Sequence, residues 1–344
     1  MDCMHHPIAK GSYYDMGAHY GAILRKHGFK LQAQTEEKLK FGRASEPEVK
    51  RIFPEVLEEI SGFAQACELQ YEHFAAFMFG IGAFKPQPDC SVFATATDSR
   101  VLFGRNYDFF YSFKDYTEST LTLPENGYFS IGQSDVFIGK EDGINEKGLA
   151  VAMTGVESPI IKPGISFCLA VRCILDKCST TAEAVRILSE AKLTSANNFL
   201  IADKTGELAV VETSPTRSRV RKPEVGQNFV VCTNHFVHPD MQEIENTEER
   251  KRSNWDTLPR YAQISNALRS AGEICNLKDV QKILSDHTGY VCSHQHKIKL
   301  GTLWSLAASL EQPRILRAEG HPCRAGFKED LRLQKVLSLR SRIR

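Results

Sequence analysis

No run of about 18 apolar residues occurs in this 344-residue chain, so no membrane-spanning helix is expected. Charge of one sign is not in excess either. The formal net charge is +1 and the isoelectric point near 7.6, which implies no bulk attraction to nucleic acid. The basic end, Leu339-Arg340-Ser341-Arg342-Ile343-Arg344, is short and reads as a solvated tail. There is no glycine loop of Walker or Rossmann type to cradle phosphates, and no cofactor is expected. Met1-Asp2-Cys3-Met4-His5-His6 lacks the apolar core of a signal peptide, so the expected location is cytoplasmic, with the ten cysteines reduced. Cys168, Cys173 and Cys178 recur at a spacing that suits neither metal ligands nor one helix face, and read as buried structural thiols. His5-His6 and His294-x-His296 have no convincing third and fourth ligand nearby in sequence, so no metal site is expected. Repeats and low-complexity segments are missing as well.

What is present suits one large domain or two small ones, with 42% hydrophobic and 25% charged residues. Residues 1 to about 89 read as mostly helical. A first helix covers Tyr14 to Leu24. A second starts at Ser45 or Glu46 with Pro47 in its first turn, carries Val49, Ile52, Phe53, Val56, Leu57 and Ile60, and is kinked or divided by Pro54. Tyr71 to Gly80 is aromatic and expected to be buried. Lys85-Pro86-Gln87-Pro88-Asp89 reads as an extended, exposed linker.

Beyond it, strands are expected at 90–94, 101–108, 121–123, 128–131, 135–139, 149–153, 198–202, 207–212, 229–233, 302–308 and 313–318. Asp142 to Gly148 reads as a turn. Helices are expected at Ser166–Cys178, with Ser166 as N-cap, and at Thr181–Ala191, Leu258–Ala271 and Leu277–Ser285. A charged loop, Glu243 to Arg252, precedes the last two. Strands, two helices, strands, two helices, strands: this order suits two antiparallel sheets packed face to face between helix layers, an α+β architecture.

The chemistry-bearing feature is a hairpin. Cys90-Ser91-Val92-Phe93-Ala94 and Val101 to Asp108 are apolar stretches joined by the turn sequence Thr97-Asp98-Ser99-Arg100. Pairing them brings Arg105 and Asp108 back beside Cys90, where a cation would stabilise a thiolate and a carboxylate would hold an amine or a water. A buried structural thiol and an ordinary surface ion pair are the alternative readings of these residues.

Cys-x-x-Phe followed by Gly-Arg-Asn-x-Asp-Phe (Gly104 to Phe109) resembles the N-terminal-nucleophile (Ntn) hydrolases of the acyl-CoA:6-aminopenicillanate acyltransferase, peptidase C45-like, family. These are related to choloylglycine (bile-salt) hydrolases and acid ceramidase. Further matches to that family are Gly17-x-x-x-Gly21, Asn145 to Leu149, Ala182-Glu183-Ala184-Val185, Ala202-Asp203-x-x-Gly206-Glu207, Thr233-Asn234-His235-Phe236 and Asp286-His287. The resemblance implies a four-layer αββα sandwich. It implies self-cleavage between Asp89 and Cys90 into a helical segment, 1–89, and an Ntn-hydrolase domain, 90–344. Cys90 would then supply both the nucleophilic thiol and, through its freed α-amine, the general base.

The resemblance also implies that Arg105 lies near the thiol and that Asp108 orients the amine. Asn234 would donate to the oxyanion, beside a backbone N–H near Thr154 or Gly155, where relatives carry an Asn. Arg260 would lie near the site, with Arg252 as the competing candidate. Asn145 to Leu149 is expected to be a turn that delivers the next strand beside the nucleophile, and Ser91 to assist self-cleavage. His235 neighbours Asn234 on a strand and is expected to point away from the thiol, against a Cys–His dyad. One departure matters: the penicillin acyltransferase has Gly before its nucleophile, and here Asp89 puts a β-carbon and a charge at the scissile bond.

The expected activity is cleavage of a linear amide through an acyl-cysteine intermediate, on a small-molecule amide or acyl-thioester. Homo-oligomerisation is left open. A CoA-thioester-dependent N-acyltransferase and an unprocessed binding protein of the same fold are the alternatives. Phe109, Phe110, Tyr111, Phe113 and Tyr116 suggest an apolar acyl pocket, although core packing explains them equally well.

Overall fold

Strand residues alternate between two different cores, and that alternation explains the layering. The computed structural model describes residues 5–84, 89–245, 248, 257–270 and 276–343. An eight-stranded sheet runs in the order β1 (Ile8–Gly11), β4 (Glu118–Pro124), β5 (Ser130–Ser134), β6 (Asp142–Asn145), β7 (Leu149–Gly155), β8 (Asn197–Asp203), β9 (Leu208–Thr213), β10 (Ser218–Arg221). A second sheet runs β11 (Phe229–Cys232), β2 (Asp89–Ala96), β3 (Val101–Phe110), β13 (Leu300–Ser309), β14 (Arg314–Glu319), β15 (Lys328–Glu329), with β12 (His294–Gln295) paired to β13. Neighbours are antiparallel except β1 on β4.

Val151 and Met153 of β7 join one core while Ala150 and Ala152 join another. On β2, Val92 and Ala94 face the same core as Ala150, and Phe93 faces a third. The middle core therefore lies between the sheets. The outer face of the eight-stranded sheet is covered by α1 (Tyr13–Lys26), α2 (Glu36–Ile52), α3 (Glu55–Ala66), α4 (Tyr71–Phe79), α5 (Phe167–Lys177) and α6 (Thr181–Glu190). After α7 (Pro239–Gln242), helices α8 (Thr257–Ser270) and α9 (Leu277–Leu284) cover the other sheet. Two further helices, α10 (Pro322–Ala325) and α11 (Arg332–Ile343), close the chain, and Leu333 of α11 seals the edge of the middle core. The result is the αββα sandwich.

Local chemistry accounts for the helix ends. Thr180 and Glu183 form a capping box on α6, and Asn276 with Asp279 does the same on α9. Gly17 and Gly62 let α1 and α3 touch backbone to backbone: a Cβ at Gly17 would sit 2.0 Å from Glu59 O, and one at Gly62 2.1 Å from Tyr14 O.

Several expectations change. The second helix starts at Glu36, capped by Thr35 and favoured by Glu36 and Glu37 in its first turn, so Ser45 and Pro47 lie inside it. Ser45 Oγ instead donates to Phe41 O and accepts from Gly164 N. Pro54 does divide α2 from α3. The segment before Asp89 is mostly helical, as expected, but β1 also joins it to the eight-stranded sheet, and α1–α4 share one core with α5 and α6. Residues 135–139 are not a strand: Phe137 takes a positive φ of 54° and turns into an aromatic cluster with Phe63, Phe74 and Phe77. The expected turn at 142–148 is half strand (β6), with the turn itself closed by Asn145 and by Gly148 at φ 79°. Linker residues 85–88 and Arg252 lie outside the described residues. Asp89 is no linker residue but the first of β2.

Candidate active site

The β2–β3 pairing sets Cys90 opposite Tyr107, Val92 opposite Arg105 and Asp89 opposite Asp108. The pleat then sorts the side chains. Cys90, Arg105 and Tyr107 face the eight-stranded sheet, while Asp89, Ser91, Asn106 and Asp108 face α8 and α9. The hairpin thus brings Arg105 to the thiol, with Nη2 3.3 Å from Cys90 Sγ. It does not bring Asp108 there, because Asp108 lies three positions after Arg105 and an odd spacing changes face. Asp108 sits beside the Asp89–Cys90 peptide instead, its Oδ1 accepting from Thr302 Oγ1 at 2.6 Å.

A bulge on β13 serves both faces. The register shifts between Thr302 and Trp304, so Thr302 pairs with Asp108 while Trp304 pairs with Tyr107. Trp304 stacks on Tyr107 at 3.6 Å, and its Nε1–H donates to Asp142 Oδ2 at 3.0 Å. Asp142 Oδ2 also lies 3.1 Å from Arg105 Nε, and Arg105 Nη1 donates to Glu141 O.

Cys90, Arg105 and Asp142 are completely buried. Burial pushes the Cys90 thiol far above its ordinary value, and Arg105 is the largest opposing influence. Burial alone would lower Arg105, but Cys90, Asp142 and Glu141 more than offset it and keep the guanidinium charged. Burial raises Glu141 strongly, with Asp135 adding to it, and raises Asp142 as well, with Arg105 as the largest opposing influence; Asp142 Oδ2 is the nearer carboxylate oxygen to the guanidinium, at 3.1 Å against 4.0 Å for Glu141 Oε2.

The other face is organised by Asn234, which follows β11. Its Oδ1 accepts from Cys90 N at 2.8 Å and from Arg260 Nη2 at 3.0 Å, and its Nδ2 donates to Gly155 O at 3.0 Å. Gly155 therefore presents its carbonyl to Asn234. Thr154 Oγ1 donates to Thr233 O at 2.6 Å and accepts from Asn198 Nδ2 at 3.0 Å. Arg260, in the first turn of α8, is completely buried rather than solvated. Its Nη1 donates to Cys90 O and to Ser91 Oγ, and its Nη2 lies 3.7 Å from Asp89 Oδ1. His235 turns away from the thiol, toward Thr233, Thr257 and Tyr261.

Beside this core lies a cavity of about 440 Å³. Tyr107, Phe109, Phe113 and Tyr116 line it from the hairpin side, and Lys30 and Phe77 from the N-terminal segment; Phe110 and Tyr111 do not line it. Sequence reasoning missed Asp142, Trp304 and Thr302. Asp142 carries only a turn signal in the sequence, at the head of Asp142 to Gly148. In space Cys292, Cys323 and His287 surround His294, Cys323 arriving from the segment after β14.

Among the described residues no helix is long and apolar enough to cross a membrane. No curated protein sequence matches the chain. Similar solved structures include a Caenorhabditis elegans N-acylethanolamine-hydrolyzing acid amidase ortholog, with 18% identity, 64% of this chain and 93% of that chain covered, and TM-score 0.48. A variant of the Clostridium perfringens conjugated bile acid hydrolase has 16% identity, 70% and 96% coverage, and TM-score 0.49. Penicillin V acylase from Agrobacterium tumefaciens has 17% identity, 67% and 82% coverage, and TM-score 0.44. Residues 95–323, which carry Arg105, Asp108, Thr154, Asn234 and Arg260, match the pattern of the acyl-coenzyme A:6-aminopenicillanic acid acyl-transferase family, and the chain belongs to that family of acyl-transfer enzymes.

Proposed function

We propose that the protein is a self-processing amide hydrolase or acyltransferase with Cys90 as nucleophile. The observation that carries this reading is the buried pair of Arg105 Nη2 and Cys90 Sγ at 3.3 Å, on a strand whose Cys90 N–H is held by Asn234 Oδ1 at 2.8 Å. In processing, the Cys90 thiolate attacks the Asp89 carbonyl carbon, and the C–N bond breaks as the nitrogen takes a proton. Water then hydrolyses the Asp89 thioester. This leaves a carboxylate on Asp89 and a free amine and thiol on Cys90. Chains 1–89 and 90–344 stay together because β1 and α1–α4 are built into the shared sheet and core.

In turnover the freed amine, held by Asn234 Oδ1 and flanked by Asp108, takes the thiol proton. Arg105 stabilises the thiolate until it attacks the substrate carbonyl. The Asn234 amide nitrogen, oriented by Arg260 on Oδ1, and a backbone N–H near Thr154 and Gly155 receive the oxyanion. The acyl group lies in the cavity lined by Phe109 and Phe113 and leaves to water or to an acceptor amine. A CoA thioester as acyl donor would use the same thiol and oxyanion donors, and competition between water and added amines separates hydrolase from transferase.

The test is intact mass under denaturing conditions together with turnover of a panel of N-acyl amides. Two chains split at Asp89–Cys90, with processing and turnover both lost in Cys90→Ala, are expected. A single uncut chain without turnover or thiol acylation would sink the proposal and favour a binding protein of this fold.

A further inference from the structure

One cluster has no part in acyl transfer. His287 follows α9, Cys292 and His294 lead into β13, and Cys323 opens α10. One ligand atom of each lies within 4.8 Å of the other three. His294 Nε2 is 3.4 Å from Cys292 Sγ and 3.2 Å from Cys323 Sγ. Both thiols converge on one imidazole nitrogen and on each other, which places three soft donor atoms around one point. A metal ion there would take a lone pair from each. With Zn–S near 2.3 Å and Zn–N near 2.0 Å, a tetrahedral site has S···N edges of roughly 3.5 Å, close to both separations.

We propose that His287, Cys292, His294 and Cys323 hold a zinc-class divalent ion. Two thiolates and two imidazoles form a borderline-soft donor set that selects zinc over magnesium or calcium. Binding releases the two thiol protons to solvent, and the two thiolates neutralise the dication. Four protein ligands close a tetrahedral shell, so the ion is structural.

Its position gives it work to do. Ser293, between two of the ligands, donates its N–H to Thr302 Oγ1 at 3.0 Å, and Thr302 donates to Asp108 Oδ1 at 2.6 Å. Asn106 Nδ2, also on the β3 face turned toward α9, donates to Leu284 O at the end of α9 and to Val291 O of the same connection. The ion would pin this connection to the segment after β14 and so keep Thr302 on Asp108. This inference does not depend on self-processing or on a substrate.

The test uses the full chain, purified reduced and without chelators from zinc-supplemented medium. Elemental analysis is expected to find about one zinc per chain. Cobalt in its place should give the d–d and thiolate charge-transfer absorption of a tetrahedral dithiolate site. Both signals should vanish in the Cys292→Ser/Cys323→Ser double variant and persist in Cys67→Ser. His287→Ala, a change at an exposed position that leaves the fold intact, should weaken zinc binding by about tenfold or more. A reduced, folded chain that binds neither zinc nor cobalt would overturn the proposal. So would cobalt absorption that survives in the double variant, or a Cys292–Cys323 disulfide whose reduction restores no metal binding.

Discussion

Replacing Arg105 with Gln removes a guanidinium 3.3 Å from the Cys90 sulfur. At an effective dielectric of about 20, a unit charge pair at that distance interacts by about 5 kcal/mol, or roughly 3–4 pKa units of thiolate stabilisation. The same change strands Asp142, which lies 3.1 Å from Arg105 Nε and is completely buried. Breaking a buried pair from one side costs about 3–5 kcal/mol, a large share of the 5–15 kcal/mol that holds a typical domain. The single variant therefore confounds stability with reactivity. The double variant Arg105→Gln/Asp142→Asn separates them. It removes both charges and keeps an acceptor for Trp304 Nε1–H. Urea unfolding should show the single variant losing about 3–5 kcal/mol and the double variant recovering most of it. Intact mass followed over time should show Asp89–Cys90 processing slowed about a hundredfold or more in both. Wild-type processing in the folded double variant would refute Arg105 as the counter-charge of the thiolate.

Three further outcomes are expected. Asp89→Gly removes the β-carbon and the carboxylate that lies 3.7 Å from Arg260, so processing should become several-fold faster by the same mass assay; an unchanged rate would show that Asp89 is no brake. Gly62→Ala forces a Cβ to within 2.1 Å of Tyr14 O, and separating α1 from α3 should cost about 3 kcal/mol in urea unfolding. Burial raises the Cys168 thiol from 9.0 to about 12, so above pH 9 the unfolded chain releases a proton that the native chain keeps. That contribution is complete below pH 9 and is lost as pH rises toward 12. Between pH 8 and pH 10 the wild type should therefore lose about 1.4 kcal/mol more stability than Cys168→Ala.

The hairpin was legible because its information is local. A turn at 97–100 sets the register, and strand parity then places Arg105 on the face of Cys90. The same parity places Asp108 on the other face, and only proximity in sequence suggested otherwise. Asp142 and Trp304 were not legible, since Asp142 reaches Arg105 from one strand and Trp304 reaches Tyr107 and Asp142 from another, and Trp304 depends on a one-residue bulge that nothing in Leu303 announces. The β1 strand pairs with β4 across more than a hundred residues of chain, and its four residues are too few for a periodic signal. The start of α2 was missed because Pro47 and Ser45 imitate a helix start, while the cap that operates is Thr35. The groups gathered around His294 could not be counted along the chain because Cys323 joins them only after β13 and β14 have folded back.

The site's place in the sandwich explains why so few charged groups could suffice. The middle core is apolar and close-packed along Val92, Ala94, Ala150, Ala152 and Leu306, and the thiol, Arg105, Tyr107 and Trp304 continue it at one end. Water is excluded there, so Arg105 acts on Cys90 with little screening, and Asp142 must hold Arg105 because solvent cannot. The same exclusion raises the thiol in the uncut chain. A base delivered at the strand's new end by cleavage would remove that obstacle without opening the core. The helical face then has to carry the amine's partners, and Asp108, Asn234 and Arg260 are already gathered there around the Asp89–Cys90 peptide.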